Sequence, residues 1–150
     1  MTVHSRRKLL RTVDVARVQA AVAEAERATS GEIRVSVARF FWGSVRHAAE
    51  RAFERLGMTR TKDRNGVLFF IVPSRKKFVV LGDSGIHGKV GQEFWECLAR
   101  LMSGHFRKSE FTEGLVAAIG EAGRQLAAHF PCDIKTDVNE LADDVDFGGH

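Results

Sequence analysis

Residues Gly66–Val72 read GVLFFIV, and PSRKK and then FVVLGD (residues 78–83) follow within a few positions. Seven residues that are apolar on both faces of a strand, opened by a glycine and followed by a proline, predict a central strand covered on both sides. PSRKK is short enough to be a turn, so FVVLGD returns beside the first strand as the second arm of a hairpin. Upstream, EIRVSVARF (residues 32–40) alternates Ile33, Val35 and Val37 against Arg34 and Ser36, the pattern of a half-buried strand. Between these two strands lies a helical stripe over about 44–56, with Val45, Ala48, Ala52, Phe53 and Leu56 on one face, Ser44 as its cap and Gly57 as its stop. A strand–helix–strand connection makes the outer strands parallel and the crossover right-handed.

Helical periodicity also runs from Thr12 to about Thr29, burying Val15, Val18, Val22 and Ala25. Two more helices are predicted over about 89–106 and 109–129, and Pro131 ends the last. In that last helix Gly120 and Gly123 remove side chains where close packing would need it. The expected order is α-β-α-β-β-α-α. The fold class is α/β, a three-layer α/β/α sandwich with a mixed central sheet and helices on both faces.

The chain of 150 residues has room for one domain with a real core. No apolar run approaches the length of a bilayer span. The opening MTVHSRRKLLR is basic without the apolar stretch of a secretory signal, so the sequence reads as cytoplasmic. Cys97 and Cys132 fall in no metal-ligating or disulfide spacing. A net charge of +4 hides an asymmetry: residues 132–150 carry −5 and the rest +9. The division is a basic arm (1–12), a folded domain (13–131) and an acidic tail (132–150) that either folds back on the basic body or stays mobile.

Chain direction then gathers carboxylates. Strands one and two begin at the edge where strand three ends. Glu32 opens the first, Asp63 precedes the second in DRNG, and Asp83 follows the third in GDSG. Like charges brought together call for a compensating cation, and oxygen ligands suit Ca²⁺ or Mg²⁺. Asn65, Ser84 and glycine-loop carbonyls can complete such a shell, and His87 lies close enough in sequence to assist. The plainer reading has the acids serving turns and caps separately: Asp63 in an Asx turn, Asp83 capping the next helix.

Other readings of the loop are weaker. From Gly82 to Gly88-Lys89 the spacing is one residue too long for a phosphate-binding P-loop, and Val90 stands where the hydroxyl residue belongs. GDSG matches a serine-protease motif, but the partners of that mechanism are missing in recognisable context. A helix starting near Lys89 offers free N–H groups to an anion, so a phosphate bridging it and a metal is physically reasonable.

SGEIRVSVA, DRNGVLFFIVPSRKKFVVLGDSGIHGKVG and HFRKSEFTEGLVAAIGEAGRQLAAHFP together resemble the TPM domain family over about residues 13–131. That family includes plant thylakoid-lumen and photosystem-repair proteins and many bacterial proteins. The resemblance implies an α/β/α sandwich, divalent-metal binding in some members and a proposed acid phosphatase activity. Its acidic residue after the first glycine matches Glu32, its aspartate before Asn-Gly matches Asp63, and its glycine-rich turn matches Gly82–Gly85 with Asp83 inside it. Many relatives carry an export signal and a membrane span, and this sequence shows neither.

The expected function is a divalent-cation-binding domain, with hydrolysis of a phosphate monoester as its enzymatic form. The alternative is a non-catalytic module assisting assembly or repair of a membrane-associated complex through a protein partner. The basic arm (Arg6, Arg7, Lys8, Arg11) allows a third reading, nucleic-acid binding, but no RNA-binding aromatic motif accompanies it, which argues against that partner. Phe40, Phe41 and Trp42 at the end of the first strand allow a partner or membrane patch, but they are expected to fold under the second helix, core burial being the default for aromatics.

Overall fold

A computed structural model of the chain describes residues 12–132 and 145–148. Residues 1–11 of the basic arm and residues 133–144 and 149–150 of the acidic tail lie outside the described residues.

The described elements are α1 (Val15–Glu26), β1 (Glu32–Val37), α2 (Val45–Arg55), β2 (Gly66–Val72), a short 3₁₀ turn (Pro73–Arg75), β3 (Lys77–Gly82), a one-turn helix α3 (Ser84–His87), α4 (Gln92–Phe106) and α5 (Phe111–His129). The sheet order is β1-β2-β3, with β2 parallel to β1 and antiparallel to β3. The expected architecture holds, and α3 is the added piece. The helix expected from Lys89 begins at Gln92, because the α3 turn takes up the residues before it.

Every residue of β2 is buried, and its alternate side chains feed two cores. Val67, Phe69 and Ile71 join Ile33, Val35 and Val37 under α1, α4 and α5. Leu68, Phe70 and Val72 join Val45, Ala49, Ala52 and Met58 under α2. That division is why GVLFFIV is apolar throughout rather than alternating. On the larger face α5 lies tight against α1: a Cβ on Gly123 would sit 2.6 Å from Ala25 Cβ. Gly120 meets nothing nearer than an Arg124 side chain at 3.7 Å, so close packing belongs to Gly123 alone of the expected pair.

The acidic tail does fold back where it is described. Asp146 bridges in parallel to Ser36, its N–H donating to Val35 O (2.9 Å) and its carbonyl accepting from Val37 N–H (2.7 Å). Its carboxylate accepts from Ser36 Oγ (2.8 Å) and from both terminal nitrogens of Arg55 (2.9 and 3.2 Å). Burial works against the charged carboxylate, but the hydrogen bonds from Arg55, Ser36 and the Gly148 N–H outweigh it and hold its pKa below the ordinary value. The sign follows from linkage: a depressed folded pKa adds stability above the unfolded value, about 3.9, and that stability is lost as pH falls through the folded one. Amide-exchange protection of Val37 should therefore stay level from neutral pH to about pH 5 and decline below about pH 4. In Asp146→Ala the same protection should be lost at neutral pH. Unchanged exchange in that variant would show that the backbone bridge holds the tail without the carboxylate.

Candidate functional site: the acid rim

Glu32, Gly66 and Asp83 lie side by side across the sheet. Glu32 pairs with Gly66, and the Asp83 N–H donates to Gly66 O (2.9 Å). Alternation puts all three on the α2 face. Glu32 is 3% exposed and Asp83 is 5% exposed, so two carboxylates are buried on one rim, as chain direction predicts.

The Cα atoms of Glu32 and Asp83 stand about two strand spacings apart, ~9.5 Å. The space over Gly66 is filled by fully buried Met58, whose carbonyl oxygen lies 2.9 Å from the position of a glycine Cβ. Asp63 is exposed on the loop before β2. Among the described residues, no group of three or more His, Cys, Asp or Glu side chains is arranged to hold a metal ion.

Asp83 has a different partner. Arg64 Nε and Nη2 donate to its two carboxylate oxygens at 2.5 and 2.8 Å, a two-point fork. The backbone at Arg64 is left-handed (φ 51°), an uncommon state for a residue other than glycine. Hydrogen bonding to Asp83 raises the guanidinium pKa against a smaller desolvation effect, so Arg64 is a permanent cation. The same carboxylate accepts from the Ser84 N–H (2.7 Å), which makes Asp83 the N-cap of α3. The cap expected as the plainer role of Asp83 is therefore present, together with an ion pair that the spacing alone does not reveal. Arg64 stands beside Asp63 in DRNG, and that adjacent basic residue was the available signal.

The supporting residues go separate ways. Asn65 turns toward the start of β1, its Nδ2 donating to Ser30 Oγ (3.2 Å), and its Oδ1 is buried without a hydrogen-bond partner among the described residues. Ser84 is exposed and contributes its backbone to Asp83. His87 lies at the outer edge of β3, with Nε2 3.0 Å from Gly82 O and its ring 5.4 Å from that of Trp95. There it lines an open cleft of about 470 Å³ with Arg46, Glu50, Phe53 and Gln92. Within the GDSG turn, Gly85 donates its N–H to Arg64 O (2.8 Å), fixing the loop that carries the arginine.

The buried Asp83 carboxylate is already neutralised by the Arg64 guanidinium, so any cation arriving at Asp83 would have to displace that side chain.

The solution structure of the BA42 protein from the psychrophilic bacterium Bizionia argentinensis is 36% identical, covers 89% of this chain and 92% of its own, and superposes with a TM-score of 0.83. The N-terminal domain of the cg2496 protein from Corynebacterium glutamicum is 12% identical (91% of this chain, 80% of that one, TM-score 0.59) and shows the shared fold alone. An N-terminal domain from P. gingivalis does the same at 17% identity (87% and 78%, TM-score 0.58). No curated protein matches the chain. The TPM domain family model matches residues 3–125, a span that holds the sheet, the rim and the Arg64–Asp83 pair, and this chain belongs to the TPM domain family.

Proposed function

We propose that this TPM domain binds a divalent cation, Ca²⁺ or Mg²⁺, at Asp83 by exchange with the Arg64 guanidinium. The observation that carries the reading is the unequal pair itself: a carboxylate 5% exposed is neutralised by an arginine side chain that is 48% exposed. A buried carboxylate needs a compensating charge, whereas a half-exposed guanidinium is readily returned to water. Asp63 on the same loop and Glu32 on the same rim add negative potential without closing a ligand set. When bound, such an ion supplies Lewis-acid polarisation of a phosphoryl oxygen, the chemistry of phosphate-monoester hydrolysis.

Titration calorimetry with Ca²⁺ and with Mg²⁺ tests this. The wild type should give saturable heat and Asp83→Asn none. Arg64→Ala should bind about three- to tenfold more tightly, since the ion no longer competes with an internal charge. Arg64→Lys keeps the charge without the fork and should fall between them. An absence of heat from both the wild type and folded Arg64→Ala defeats the reading. Turnover of p-nitrophenyl phosphate with either ion separates an enzyme from a binding domain.

A second reading, a non-catalytic module working in a membrane-associated complex, draws support from the far end of the sheet. Phe40 and Trp42 are exposed there, 43% and 88%, instead of folding under α2 as expected. Phe41 alone of the three packs against the α2 core. The reason is that Arg75 donates to the carbonyls of Phe41 (3.1 Å) and Gly43 (2.8 Å), pinning the loop with its neighbouring aromatics turned outward.

A further inference from the structure

We infer that the Phe40–Trp42 end of the domain is a docking surface for an anionic lipid bilayer. This goes beyond both readings above, since the occupant is the lipid surface itself rather than an ion or a protein.

Phe40 and Trp42 are the two large apolar side chains exposed among the described residues. They stack edge to face with centroids 4.8 Å apart, so they stand as one aromatic unit. The loop beneath is anchored by the two Arg75 hydrogen bonds and by the Arg75 guanidinium 5.4 Å from the Phe41 ring. An ordered loop that exposes a tryptophan loses little further freedom on docking.

The surroundings select the occupant by charge. The loop after β1 and the turn before β3 lie together, joined by Arg75. Residues 38–46 and 73–79 carry Arg39, Arg46, Arg75, Lys76 and Lys77 and no carboxylate, although Arg46 is paired with Glu50 of α2 (3.6 Å), so the charge rests mainly on Lys76 and Lys77. Lys76 and Lys77 are exposed. Asp146, on the neighbouring tail segment, is already neutralised by Arg55. Tryptophan suits the headgroup region, where one part of the ring is dry and another is wet, and lysines nearby gain from anionic headgroups. The acid rim stands at the opposite end of the strands, about 20 Å away by strand rise. Docking in this sense points the rim away from the bilayer and spares it the repulsion of anionic lipid.

Co-sedimentation of the full chain with vesicles tests the inference, using phosphatidylcholine alone and an equal mixture with phosphatidylglycerol. The wild type should sediment with the mixed vesicles and not with phosphatidylcholine, and its tryptophan emission should shift to the blue. Trp42→Ala should weaken binding by about ten- to a hundredfold, the effect of burying one large aromatic ring. Lys76→Glu with Lys77→Glu should weaken it comparably, while Arg60→Glu, at the rim end, should not. These variants change exposed side chains, so their folding is checked by unchanged melting. Equal binding by Trp42→Ala and wild type overturns the inference, because the basic arm would then suffice. So does failure to sediment with either vesicle, or a dimer that Trp42→Ala dissolves without any vesicle binding. None of these outcomes depends on whether Asp83 takes a cation.

Discussion

Phe69→Ala should lower the stability of the fold by about 3–5 kcal/mol, enough to consume much of the 5–15 kcal/mol that ordinarily separates folded from unfolded domains. Phe69 is fully buried in the middle of β2, paired across the sheet with Val35 on one side and Val80 on the other. Its ring enters the larger core, where α1, α4 and α5 all contribute side chains. The fixed backbone of β2 cannot follow the shortened side chain inward, because Leu68 and Phe70 hold the strand from the opposite face. The void therefore stays largely open, and the cavity cost adds to the lost transfer energy. Thermal and urea unfolding of the two proteins measure the difference. A loss below about 1 kcal/mol would mean that the core collapses around the site, contrary to the two-sided clamping of β2.

How far the sequence carries can be judged from the same strand. GVLFFIV reads directly as a central strand because seven consecutive apolar residues have one economical use, burial on both faces, and the strand runs over those seven residues. The hairpin and the crossover then follow from loop length and handedness. Those two facts also place Glu32 and Asp83 on one rim without knowledge of any side-chain contact. Side-chain partners depend on loop backbones that no periodicity encodes. Arg64 reaches Asp83 because its own φ is positive, and Met58 fills the roof over Gly66 because the chain turns back after α2. Phe40 and Trp42 defeat the default of aromatic burial for a local reason, the grip of Arg75 on the carbonyls of Phe41 and Gly43. The tail is legible only as a block of charge: composition shows that it is acidic, but its strand register beside β1 rests on the hydrogen bonds of Asp146 with Val35 and Val37.

Gly85→Ala should damage the rim more than any other single methyl added to the GDSG turn. The α3 turn lies directly on the loop before β2: a Cβ at residue 85 would stand 2.2 Å from Asp63 O and 2.6 Å from Arg64 O. Both obstacles are backbone atoms, so no rotamer change relieves the contact and the two segments must separate. Separation breaks the hydrogen bond from the Gly85 N–H to Arg64 O and moves the arginine off the Asp83 carboxylate. The expected cost is about 1–3 kcal/mol, the range for overpacking a tight interior contact. Gly88, three residues on, is the internal control. It has an ordinary φ of −81° and nothing within 4 Å of its would-be Cβ, so Gly88→Ala should change stability by no more than about 0.5 kcal/mol. The cation reading adds a separate consequence. If an ion takes the place of Arg64 at Asp83, Gly85→Ala alters the calorimetric titration as well as the melting curve, since the carboxylate, the arginine and the Asp63 loop all move together. A Gly85→Ala variant that melts like the wild type would show that the turn slides freely over residues 63–64. The geometry that holds Arg64 against Asp83 would then be too loose to define a site.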